Sequence, residues 1–199
     1  EQSGFINDLG FDTYQKLLGE AVDELKKNEF KDLYADVRGG WNPKDRDCQL
    51  DTDLELLLPD AYINFVEERL RIYRELNELP DEAALTAYIA GLEDRFGALP
   101  VQAQQLMTSL RLRWLGQELG FEKIVLKAGK MLCHFPEEAH EAPPQEVLMT
   151  FLQKLQAQPQ RFRMKQKGPR ISLVVESVSG VDAAFVLLKE WLPSGENAE

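Results

Sequence analysis

The chain has 199 residues, of which 44% are hydrophobic and 29% charged, with a net charge of −11. A chain of this length buries roughly 70% of its unfolded surface, so it can hold a core without metal or disulfide staples. The negative balance repels phosphate and excludes nucleic-acid binding over the surface as a whole, leaving only local contact.

Residues 1–11, "EQSGFINDLGF", carry glycines at 4 and 10 beside Ser3 and form a loop. Residues 11–27 repeat apolar side chains at Tyr14, Leu17, Leu18, Ala21, Val22 and Leu25, which predicts a helix capped by Asp12 or Thr13. Residues 36–47 combine Gly-Gly, Asn-Pro and mixed charges and read as a linker. Leu50, Thr52, Leu54 and Leu56 then alternate with acids, as on a half-buried strand.

Helical spacing returns at Asp60. Tyr62, Phe65, Val66, Leu70, Tyr73 and Leu76 form one stripe to about Leu79, where Pro80-Asp81 breaks it. Leu85, Tyr88, Ile89, Leu92 and Phe96 form the next. Gly97 is expected as the left-handed residue past that helix, and Pro100 opens another. The third uses Ala103, Leu106, Met107, Leu110, Trp114 and Leu115, with Gly120 past its end.

The pattern then changes. Residues 123–127 and 130–135 read as strands around a tight Ala128-Gly129 hairpin. A helix follows from Pro143 and Pro144 through Val147, Leu148, Phe151, Leu152 and Leu155. Residues 161–166 and 170–177 read as strands, and 182–192 as a last helix. The expected fold class is α+β: an N-terminal helical tail and linker, then helices packed with a small ββαββα-like antiparallel sheet that has two helices on one face. The tail from Pro193 is expected to fray.

The motifs of phosphate, dinucleotide, zinc-protease and serine-hydrolase chemistry (GxxxxGK[ST], GxGxxG, HExxH, GxSxG) are absent. Cys48 stands alone, so there is no zinc framework of CxxC spacing, and Cys133-His134 lies in an apolar run and reads as buried and structural; no metal set and no catalytic residue is expected. Few cysteines, no long apolar run and no leader sequence suggest a cytoplasmic protein with no membrane contact. The chain starts without methionine, which suggests a piece of a longer one.

Two constellations remain. Alternation puts Arg161, Arg163, Lys165 and Lys167 on one face of a strand, with Phe162 and Met164 on the other. Such charges discourage edge-to-edge pairing; alternatively they meet phosphates or an acidic partner. The stretch "LEDRFGALP", residues 92–100, ends a helix with Glu93 and Asp94 where the dipole disfavours acids. Arg95 offsets them locally, or the acids serve a basic partner.

The segments "GFINDLGFDTYQKLLGEAVDEL", "LLPDAYINFVEERLRIYRELN" and "LEDRFGALP…LRLRWLGQELGFEKI" together resemble the C-terminal end of bacterial transcription-repair coupling factors. The resemblance covers residues 1–30 and about 48–126. It implies a parent protein that is an ATP- and magnesium-dependent, RecG-like double-stranded DNA translocase. Such a parent removes stalled RNA polymerase and recruits the excision-repair protein UvrA. The chain itself would be non-catalytic and need no cofactor. Residues 1–4, with Gln2 and Gly4, would be the end of the translocation motif, and Gln2 would be the glutamine that helps couple ATP hydrolysis to movement. Residues 1–30 would be the tail of the motor lobe, 31–56 a linker with a short strand, and 57–199 a C-terminal regulatory domain. That domain would dock on the parent's own N-terminal UvrA-recruiting module and mask it. Asp94 matches the family's docking acid; the companion acid one turn earlier is Gly91 here, with Glu93 as a substitute.

Overall fold

A computed structural model describes residues 47–136, 145–167 and 170–192. Gln2, Gly4, the helix expected over 11–27, the linker expected over 36–46 and the tail from Pro193 lie outside the described residues. The described residues form five helices and one five-stranded mixed sheet, an α+β fold. They divide into two compact units, residues 55–107 and residues 47–54 with 108–192.

The first unit holds α1 (Val66–Glu78), α2 (Glu82–Phe96) and the start of α3 (Val101–Glu118). The stripe expected from Asp60 begins late. Pro59 C=O accepts the N–H groups of Tyr62 and Ile63 at 2.9 and 3.0 Å, closing a turn, and α1 starts only after extended Phe65. Phe65 is therefore 70% exposed, and the buried face is Arg69, Ile72, Tyr73 and Leu76. Arg69 is tolerated there because it donates to Ile63 C=O at 2.7 Å and pairs with Asp60 at 2.9 Å. Tyr73 donates its ring to the core while its hydroxyl accepts the Leu58 N–H at 2.9 Å.

Asp81 caps α2 by accepting the Ala84 N–H at 2.9 Å. At the other end Gly97 donates its N–H to Glu93 C=O at 2.9 Å, with φ of 83° as expected, but with ψ of −173° rather than the left-handed helical value. Only glycine enters that region freely. Pro100 lies just before α3 and its carbonyl accepts the Gln104 N–H. Of the residues expected on the buried stripe of α3, Trp114 is only half-buried, while Leu112 and Leu119 are added to the core.

The second unit is built on the sheet, ordered β1-β2-β3-β5-β4. The strands are β1 (Gln49–Thr52), β2 (Lys123–Lys127), β3 (Lys130–His134), β4 (Phe162–Lys167) and β5 (Arg170–Glu176). The expected hairpin is present, with positive φ at both Ala128 and Gly129. The four strands of the expected ββαββα part, β2, β3, β5 and β4, pair antiparallel as expected, and β1 adds a fifth strand parallel to β2, Leu50 opposite Ile124. The acids around β1 hold it there. Arg113 Nη2 contacts both oxygens of Asp47 at 2.6 and 2.7 Å, Asp51 pairs with Lys127 at 2.6 Å, and Asp53 accepts the Ala128 N–H at 2.8 Å.

Register places Ile124, Leu126, Met131, Cys133, Leu173, Val175 and Phe162 on one face. Two helices, α4 (Gln145–Ala157) and α5 (Val181–Lys189), reach this face. Phe151 of α4 and Trp191 just after α5 both meet the Phe162 ring, at 6.1 and 6.4 Å. Trp191 also contacts Phe121 and Phe151, which makes it the hub of an aromatic core.

Helix α3 approaches β1 and β2 closely at Gly116, where an added Cβ would lie 2.7 Å from both Cys48 Sγ and Ile124 Cδ1. Gly116→Val is therefore expected to cost about 2 kcal/mol through overpacking. Gly91 of α2 has open space instead, so Gly91→Ala is expected to add about 0.5–1 kcal/mol. Urea unfolding of the two variants beside the parent chain checks both signs.

Candidate functional site

The stretch 92–100 occupies the end of α2 and the turn into α3. Its charges are not arranged as a local offset. Arg95 leaves Glu93 and Asp94 and pairs with Glu68 of α1 at 2.5 Å, while its guanidinium carbon sits 4.7 Å from the Phe96 ring centre. Glu68 also accepts from Arg71 at 2.6 Å. The arrangement follows from the late start of α1. Glu68 falls in the first turn of α1 and Arg95 in the last turn of α2, so each suits its own helix dipole. The Tyr62 hydroxyl donates to Gly97 C=O at 2.9 Å and its ring packs edge-on against Phe96, joining the same two helix ends.

Asp94 is left exposed, with no ion pair or hydrogen bond among the described residues. Glu93 is exposed too, but one of its oxygens faces the Leu99 N–H at 3.5 Å, and its charge raises the Tyr62 hydroxyl, behind the larger effect of burial. The two acids thus point to different surroundings. Gly91 is exposed and stands three residues before Asp94, on the same helix side. Residues 55–107 carry ten acids against four arginines, and three of those arginines, Arg69, Arg71 and Arg95, are held by acids of the unit.

The basic strand is at the sheet edge, as β4. Register places Arg163 level with Val174 and Lys165 level with Ser172, on the face away from Phe162. Both are exposed and unpaired among the described residues. Lys167 ends the strand. Arg161 departs from the four-residue row: it precedes the strand, in a turn where its N–H donates to Gln158 C=O at 3.0 Å, and it lines a cleft with α4 and α5. On the Lys165 row, Ser172 Oγ and His134 Nδ1 are 2.8 Å apart, and burial chiefly, then the Arg170 charge, lowers the His134 pKa. Sequence spacing does not show that pair, because it depends on β3 lying beside β5.

Cys48 and Cys133 are both fully enclosed. Burial pushes the Cys48 thiol up to about 12 and the Cys133 thiol well above its ordinary value, the opposite of an activated nucleophile. Among the described residues no group of three or more His, Cys, Asp or Glu side chains converges as a metal site. No described helix is long and apolar enough to cross a membrane.

Residues 52–146 match the family model of the TRCF domain. The chain carries a TRCF domain. It is 33% identical over 179 residues to the transcription-repair-coupling factor of Escherichia coli (strain K12), covering 90% of this chain and 14% of that protein. To the coupling factor of Staphylococcus epidermidis (strain RP62A) it is 29% identical over 194 residues, 98% of this chain and 15% of the relative. The chain thus spans about one seventh of the length of these relatives. Its fold is similar to a crystal structure of the C-terminal domain of a transcription-repair coupling factor, with a TM-score of 0.59 at 16% identity over 74% of this chain and 92% of that one.

Two outcomes follow from this geometry. The Arg95 hydrogen bond, with Arg71 behind it, holds the Glu68 carboxyl below its ordinary range. A depressed carboxyl contributes stability that is present above its unfolded pKa and lost as pH falls through the folded one. Glu68→Gln is therefore expected to lose less stability than the parent chain between about pH 6 and about pH 3, by urea midpoints. Second, neither Cys48 nor Cys133 is expected to react with iodoacetamide at about pH 8 in the folded chain, and both are expected to react in denaturant, counted by mass spectrometry.

Proposed function

We propose that this chain is the C-terminal regulatory region of a transcription-repair coupling factor, acting by docking and not by catalysis. Its acidic α2 end covers the parent's N-terminal UvrA-recruiting module until the motor engages. The parent would supply the ATP-driven movement on DNA and the displacement of stalled RNA polymerase. One observation carries the docking: Asp94 presents a carboxylate with no partner of its own, because its neighbour Arg95 is committed to Glu68. A charge left unpaired at a helix end costs little in water and gains most from a basic surface. The tether through Tyr62 and Gly97 supports this by fixing the helix end that would be read.

A second reading draws on Arg163 and Lys165, exposed and unpaired on an edge strand: local contact with nucleic acid. The net charge of −11 opposes it.

Calorimetric titration of the chain into the isolated N-terminal module of the same protein tests the docking. Binding is expected at about 50 mM salt and weakens as salt rises. Asp94→Asn is expected to weaken it about fivefold, and Gly91→Glu, which restores an acid one turn away, to strengthen it about threefold. Absence of binding at low salt, or indifference to Asp94→Asn, overturns the docking. If duplex DNA binds instead, with a salt slope that falls on Arg163→Gln and Lys165→Gln, the second reading replaces it.

A further inference from the structure

Arg161 belongs to neither surface described above. It stands at a cleft of about 490 Å3 between α4 and α5. Phe162 and Leu187 make the buried floor, Ala157 and Ala183 the sides, and Val186, 61% exposed, carries the apolar surface outward past the rim. That size suits one or two apolar side chains, and a groove between paired helices is a common seat for a peptide.

The charges around this apolar lining are unequal in their commitments. Lys154 and Glu190 pair with each other at 2.7 Å across the ends of α4 and α5. Asp182 lies in the first turn of α5, where the helix dipole favours it. Arg161 has no acid partner among the described residues: its guanidinium carbon is 5.7 Å from the Phe162 ring centre, and its Nε is buried without an acceptor. A guanidinium presents a planar fork that matches a carboxylate through two parallel hydrogen bonds, and a stacked ring holds the fork in place.

We propose that this cleft is a docking site for a peptide segment of a partner protein that carries a bulky apolar side chain beside a carboxylate. The apolar side chain enters between Ala157 and Ala183 onto Phe162, and the carboxylate is received by Arg161. Asp182 also lines the cleft, and its charge opposes an incoming carboxylate. The open rim at Val186 favours a peptide, whose chain continues beyond the cleft, over a small molecule that ends inside it. The site is independent of the α2 end: nothing in it uses Asp94.

The test is a nitrogen-15 NMR titration of the whole 199-residue chain with an acetylated Leu-Leu-Glu tripeptide amide, and with its Leu-Leu-Gln counterpart. The Glu peptide is expected to shift amides around Ala157, Phe162 and Leu187 saturably, and to bind about tenfold more tightly than the Gln peptide. Arg161→Gln is expected to remove that tenfold difference. Asp182→Asn, at an exposed position, is expected to tighten the Glu peptide about threefold. Equal affinity for the two peptides, a difference that survives in Arg161→Gln, or shifts confined to other surfaces each overturn the proposal. So does the absence of saturable binding at millimolar peptide.

Discussion

The parallel pairing of β1 with β2 governs the topology. Antiparallel neighbours can be joined by a tight turn, whereas parallel ones need a crossover. Here the crossover is residues 53–122, and it contains the whole of α1 and α2 as well as α3. The helical unit is thus an insertion between two adjacent strands, with its own core of leucines around Ile72, Tyr73 and Leu85. The pairing stands because acids anchor both ends of a strand only four residues long, through Arg113 at Asp47 and the Ala128 N–H at Asp53.

Within the helical unit, one carboxylate decides how the surface is charged. Glu68 gathers Arg71 and Arg95, two cations from two helices. Had Arg95 turned back along its own helix, the acids beside it would be neutralised where they stand. Because it turns across to α1, the end of α2 keeps its negative charge while the two helices gain a cross-link. The same residue choice therefore bears on packing and on what the surface offers to others.

Much of this arrangement is legible in the sequence where the determinants are local. Ala128-Gly129 marks its hairpin, because two residues of positive φ must sit between two apolar strands. Gly97 marks the end of α2 for a similar reason. The illegible parts depend on partners far along the chain. Asp60 and Tyr62 share helical spacing with α1, yet they sit in a turn before it. There the Tyr62 hydroxyl bonds to Gly97 C=O, and Asp60 neutralises Arg69 from the side. Leu50 and Thr52 show the alternation of a strand but not its direction, which comes from pairing with β2. At the candidate site the acids are visible and the loss of their local counter-charge is not. In the same way, alternation groups Arg161 with Arg163, whereas the turn at Gln158 carries it to the helices.

The four-residue ladder of β1 has a mechanical side. Tension arriving from the N-terminal direction meets the Asp47–Arg113 clasp first and then this short ladder, before it reaches any other strand of the sheet. The remaining four strands are linked by longer antiparallel ladders and backed by the Trp191 aromatic cluster. A pull from upstream would detach the edge like a tab, with the body of the sheet left whole.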